Sequence, residues 1–133
     1  MGYLSDKYSK KMLLAGLYFF RAISIMLFIF LPPSNISAIV FGITFGLLWL
    51  ATVPATNGIV AQVFGAKNLS MLFGIVFLNH QIGSFLGAYL GGVFYDMFGN
   101  YDYAWYLAII LSFVATLLHL PIDEKPIRKE ATI

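Results

Sequence analysis

Apolar residues fill four long runs of this chain, at 12–31, 36–64, 69–95 and 103–120, and short polar segments separate them. With a rise of about 1.5 Å per residue, roughly 20 apolar residues in a helix cross the hydrocarbon of a bilayer. The pattern therefore predicts four membrane-spanning helices, an all-α polytopic arrangement, followed by a charged tail at 121–133. Pro32-Pro33-Ser34-Asn35 ends the first run, because two prolines supply no backbone donor to continue it. Gly65-Ala66-Lys67-Asn68 makes the second turn, with Asn68 or Ser70 available as an N-cap, and the DMFGNYD segment at 96–102 makes the third. The length of the second run and its internal Pro54 imply tilt or a kink between Thr52 and Gly58.

The third run is apolar throughout yet carries Asn79, His80, Gln81 and Ser84 near its middle, and Gly83, Gly87 and Gly91 recur every fourth residue. His80, Ser84, Gly87 and Gly91 share one helical face, which offers both close backbone approach and a titratable group. In the second run Trp49, Thr52 and Thr56 share a face with Asn57 beside it, and Gly42 and Gly46 form a GxxxG pair suited to helix packing.

Composition agrees with the pattern. Hydrophobic residues make up 60% of the sequence, the mean hydropathy is +0.85, and only 8 Lys and Arg and 6 Asp and Glu are present among 133 residues. These values belong to an integral membrane protein. A formal charge of +2, held in small clusters beside apolar runs, offers no stripe for nucleic acid. With no cysteine and two separated histidines, neither a thiolate nucleophile nor a metal site is indicated, and no cofactor motif is present. The first run is too long for a signal-peptide core and reads as a retained span.

Charge also orients the chain. Lys7, Lys10, Lys11, Lys67, Lys125, Arg128 and Lys129 all fall in segments that four alternating spans place on one side, and the opposite loops carry Asp96 and Asp102 without a Lys or Arg. Positive residues are retained on the cytoplasmic face, so both termini are expected there, in a multi-pass protein of the cell membrane. Tyr101, Tyr103, Trp105 and Tyr106 would form part of the aromatic belt at the outer interface.

Polar groups inside a span must be satisfied by protein or by a wet cavity, which makes them the informative positions. Thr52 and Thr56 either bond back to their own helix around Pro54 or line such a cavity. His80 makes either an interhelical hydrogen bond or a contact to substrate or proton. Arg21 lies about nine residues, or ~13 Å, into the first span, too deep to snorkel easily, and requires a carbonyl or carboxylate partner. His119, at a membrane edge, reads as structural.

The segment Gly2-Tyr3-Leu4-Ser5-Asp6-Lys7-Tyr8-Ser9-Lys10-Lys11 resembles the loop signature G-x-L-x-D-R-x-G-R-R of the major facilitator superfamily. Gly2, Leu4 and Asp6 match it, Lys7, Lys10 and Lys11 keep its charges, and Ser9 replaces its second glycine. The segment from Asn79 onward, NHQIGSFLGAYLGGVFYDMFGNYDYAWYLAI, resembles the eleventh and twelfth spans of bacterial monocarboxylate and oxalate carriers. The resemblance implies that residues 1–133 are a partial facilitator domain, the ninth to twelfth of twelve spans, lacking the amino-terminal half. It implies a secondary transporter, symporter or antiporter, working by alternating access on a small solute, with an organic anion suggested. Trp49, Thr52, Thr56, Asn57, Asn79, His80 and Ser84 then become candidates for the substrate cavity, and Asp6 the group set against a helix of the missing half. The alternative is a self-contained four-span protein, either an assembly subunit or a small dimeric exporter. Proton-driven exporters of that size need a carboxylate within a span, which these four lack. No feature points to an enzyme.

Overall fold

The structure, a computed structural model, describes residues 8–127. Four helices follow one another: α1 (Lys10–Phe30), α2 (Asn35–Phe64), α3 (Leu69–Phe98) and α4 (Asp102–His119). All four are long and apolar enough to cross a membrane, and no strand occurs among the described residues. Their bounds fall within three residues of those read from the hydrophobic pattern. The largest difference lies at the end of α3, which absorbs Asp96, Met97 and Phe98 before Gly99 stops it in the left-handed conformation, φ +72°. An L side chain seldom adopts that conformation, so glycine serves as the C-cap.

The turns have specific chemistry. Ser34 caps α2 through a reciprocal box: its Oγ accepts from the Ser37 N–H and the Ser37 Oγ accepts from the Ser34 N–H, each at 3.0 Å. Between α2 and α3, Gly65 at φ +79° leads into a 3-10 turn, Ala66–Asn68, and Asn68 precedes α3 without any side-chain capping bond. The expected cap by Asn68 is thus replaced by the continuous backbone of that turn. Helix α2 runs through Pro54 without a break.

Packing centres on α1, which lies against α4 along most of its length and against α2 nearly as extensively. Its buried residues, Leu14, Ala15, Leu17, Ala22, Ser24 and Ile25, cover about half its circumference at 100° per residue, as expected of a helix with a neighbour on each side. Leu14 and Leu17 meet Ala55 of α2, with Leu48, Ala51 and Ile59 around them. Helix α3 has no buried residue and touches α2 and α4 sparsely.

The two ends of the bundle are joined differently. At the end bearing both termini, Lys10 Nζ donates to Gln62 Oε1 at 2.6 Å, Gln62 Nε2 donates to the Glu124 carbonyl at 3.0 Å, and Lys11 Nζ donates to the Ile122 carbonyl at 2.9 Å. The Lys11 backbone N–H also reaches the Glu124 carboxylate, and the Ile127 N–H donates to the Val63 carbonyl at 2.9 Å. The segment after α4 thereby straps the start of α1 to the end of α2. Gly58 leaves room for the strap, since a Cβ there would stand 3.2 Å from Cδ and Cε of Lys10. At the opposite end aromatic rings do the joining. Phe28 stacks on Phe41 with centroids 4.3 Å apart, and Trp105 meets both edge-on at 5.9 Å. Trp105 is therefore an interhelical packing residue, while Tyr101 stacks on Tyr95 and Tyr103 on Phe98.

Candidate functional site: a cleft between the four helices

A cleft of about 340 Å³ opens where all four helices contribute: Tyr18 from α1, Trp49, Thr52, Val53 and Thr56 from α2, Phe73, Val76, Phe77 and His80 from α3, and His119 from α4. The helices set these positions by register. Trp49, Thr52 and Thr56 recur along one face of α2, and Phe73, Val76, Phe77 and His80 recur at three- and four-residue spacing along one face of α3. The cleft occupies the half of the bundle nearer the termini.

Its polar groups are partly satisfied by their own helices. Thr52 Oγ1 donates to the Trp49 carbonyl at 2.6 Å and Thr56 Oγ1 to the Thr52 carbonyl at 2.8 Å. Both threonines therefore bond locally and also face the cleft, so the two readings of them are compatible. The bonds cross the stretch where Pro54 withholds a backbone donor. The His80 ring meets the Trp49 ring at 5.6 Å and 64° and the Phe77 ring at 6.1 Å. His119 Nδ1 pairs with the Ala115 carbonyl at 2.7 Å and its ring lies 5.1 Å from that of Tyr18.

Of the seven cavity candidates read from the sequence, Trp49, Thr52, Thr56 and His80 line this cleft. Asn57, Asn79 and Ser84 do not line it; Asn79 Nδ2 donates to the Ile75 carbonyl and Ser84 Oγ to the His80 carbonyl, each at 3.0 Å. At Gly42, Gly46, Gly83, Gly87 and Gly91, an added Cβ would meet no described atom within 4 Å beyond its chain neighbours and its own helix backbone. Gly2, Leu4, Asp6 and Lys7 of the loop signature lie outside the described residues, and Lys10 and Lys11 serve the strap. Sequence reasoning missed Tyr18, Phe73, Phe77 and His119, whose types are ordinary for a helix interior. Their spacing, Tyr18 three residues before Arg21 and Phe73 and Phe77 on the face of His80, was the available signal.

Arg21 has no carbonyl or carboxylate partner among the described residues. Its guanidinium carbon lies 4.9 Å from the Trp49 ring centre, 5.2 Å from Tyr18 and 5.5 Å from Phe45, and its Nε is buried without a hydrogen bond. Ring faces carry negative charge density and attract the guanidinium.

A second cleft, about 400 Å³ and nearly all apolar, lies between α1 and α2 toward the ring-packed end, bounded by Phe20, Leu27, Phe28, Val40 and Phe41.

Four apolar helices around an open cleft that carries polar side chains define a polytopic membrane protein. Comparison with known proteins gives the family: the family model for the Major Facilitator Superfamily matches residues 1–132, and the chain belongs to that superfamily. It is a multi-pass membrane protein of a transporter family whose members move small molecules. The chain is 28% identical over 137 residues to the uncharacterized MFS-type transporter YcxA of Bacillus subtilis (strain 168), covering 97% of this chain and 33% of that protein. It thus spans about a third of the length of that relative. No solved structure matches the chain.

Proposed function

We propose that the chain contributes part of the solute pathway of a secondary carrier for small organic anions, with the four-helix cleft as one wall of that pathway. The observation that supports this most directly is the charge placement around the cleft. Arg21, His80 and His119 lie in or beside it, whereas the acidic residues of the helices, Asp96 and Asp102, sit at the opposite end. A cleft with a fixed cation beside it and no carboxylate in its lining suits an anion.

Alternating access in such carriers requires two halves rocking about a central site. Four helices supply part of one half, and the exposed apolar face of α3, with Gly83, Gly87 and Gly91 on it, is the surface against which earlier spans would pack. The coverage of a third of YcxA is consistent with this division. In the assembled carrier Asn79 and Ser84, exposed on α3, would face those spans. Seven Lys and Arg in the sequence segments assigned to one side, against none in the opposite loops, support cytoplasmic termini in the cell membrane.

Two experiments test the proposal. Single cysteines at Ser34 and Asn100 should react with impermeant reagents from outside intact cells, and one at Asn68 should not; labelling of Asn68 would reverse the orientation. Purified chain reconstituted into vesicles, alone and with a fragment supplying earlier spans, should take up labelled carboxylates saturably only in combination. Saturable uptake by the chain alone would establish a self-contained four-span carrier, and no carboxylate uptake in either arrangement would refute the organic-anion assignment.

A further inference from the structure

The first turn of α1 is capped from outside the helix. A helix begins with backbone N–H groups that have no partner within it, and a serine at the N-cap ordinarily accepts from one of them. Ser9 stands at that position but makes no capping bond, its Oγ is buried without a partner, and no acidic residue lies in the first turn. The acceptor comes instead from the segment after α4, where the Glu124 carboxylate takes the Lys11 N–H. The same carboxylate sets a negative charge at the positive end of the α1 dipole. Lys11 holds that segment a second time, its Nζ donating to the Ile122 carbonyl at 2.9 Å.

The path of the segment is fixed at both ends. It leaves α4 at His119, where the Ile122 N–H returns to the His119 carbonyl at 3.4 Å, and it reaches the end of α2 through the Ile127 N–H on the Val63 carbonyl at 2.9 Å. Between those points it touches the start of α1. The same three helices line the cleft, through His119 of α4, Thr56 of α2 and Tyr18 of α1. Thr56 and Val63 share a face of α2, and Tyr18 and Lys11 share a face of α1, each pair about two turns or ~10 Å apart. Residues 120–127 therefore run as a bar across the terminus-bearing end of the cleft, joining the ends of its three walls.

Hydrogen bonds hold this bar, with little burial behind them. Ile122 and Glu124 are half-buried, whereas Pro121, Pro126 and Ile127 are exposed and the Asp123–Lys125 pair, 4.0 Å apart, lies in solvent. A segment fastened by a few partly exposed bonds opens locally without unfolding the helices beneath it.

We propose that residues 120–127 are a latch on the cleft, seated by Glu124 as the cap of α1, which closes the route between the cleft and the terminus-bearing face. Release of the latch opens that route while the four helices keep their places. Glu124 is a positioning residue, and Gln62, which joins Lys10 to the Glu124 carbonyl, is the second fastening. The latch goes beyond the carrier proposal and is independent of which solute the cleft takes.

The chain has no native cysteine, so single introduced thiols report access to each cleft. Thr56→Cys, in the cleft, and Thr44→Cys, in the second cleft toward the opposite end, are placed separately in the 133-residue chain in lipid nanodiscs and their reaction with a charged, membrane-impermeant thiol reagent is timed. Adding Glu124→Ala should speed labelling at Thr56→Cys by roughly five-fold or more, the factor by which loss of one hydrogen bond to a charged group shifts an open–closed equilibrium, and leave Thr44→Cys unchanged. Glu124→Gln, which keeps an acceptor oxygen but loses the charge, should give a smaller acceleration, and Gln62→Ala should act in the same direction as Glu124→Ala. No acceleration at Thr56→Cys with Glu124→Ala would overturn the latch. Equal acceleration at both thiols would overturn it as well, because the variant would then have loosened the whole bundle instead of opening one end of it.

Discussion

Helices α1 and α3 are built from similar material and have opposite fates. Both are apolar, both are long enough to span a bilayer, and each carries a titratable side chain near its middle, Arg21 and His80. Yet α1 is enclosed by α2 and α4, with Ala22 at 0% and Ile25 at 1% exposure, while α3 buries no residue and leaves Phe85 69% exposed. In soluble proteins an exposed apolar face of that size would be an anomaly. In lipid it costs little, so the difference is one of polar groups and close approach rather than of hydrophobicity. Helix α1 presents the small residues Ala15, Ala22 and Ser24 to its neighbours, whereas the small residues of α3, Gly83, Gly87 and Gly91, have no described atom near their Cβ positions. One helix uses its smooth face within this chain; the other keeps its own available.

The contrast can be sharpened by substitution. The largest effect is expected at the α1 core. Leu14→Ala should cost roughly 2–5 kcal/mol through lost burial and a residual cavity, and Ala22→Leu about 1–3 kcal/mol through overpacking. Both should appear as earlier unfolding of the purified chain in a denaturing-detergent titration. If either is silent, α1 is not the packing centre.

The strap at the terminus-bearing end comes next. Gln62→Ala removes an acceptor for Lys10 and a donor to the Glu124 carbonyl, and should cost on the order of 1–2 kcal/mol in a partly exposed site. Limited proteolysis should then cut after α4 several-fold faster; an unchanged cleavage rate would show that the strap does not restrain the tail.

Changes on α3 should affect stability least. Gly87→Leu should leave the unfolding of the isolated chain within about 0.5 kcal/mol of the wild type, because the position faces open space. In a carrier containing the earlier spans the same change should abolish transport, so full activity there would refute the proposed docking of those spans on the glycine face. His80→Ala, on an exposed position that lines the cleft, should likewise spare stability and alter the affinity for anion measured by uptake. Unaltered affinity would return His80 to a packing role.

The sequence by itself determined the number, order and bounds of the helices, because crossing the apolar layer of a membrane demands about 20 apolar residues and tolerates prolines and polar clusters chiefly between them. It also determined that Trp49, Thr52, Thr56 and His80 would occupy polar-capable faces, since helical period alone sets which residues share a side. Only the tertiary structure decided which helix is central. Hydrophobic periodicity is nearly uninformative when lipid and protein interior are equally apolar, so nothing along the chain distinguished the enclosed α1 from the exposed α3. The same limit hid the surroundings of Arg21. A deep arginine announces the need for compensation, but whether an oxygen or a set of rings supplies it depends on Phe45 and Trp49 from another helix, and that pairing exists only once α2 lies against α1.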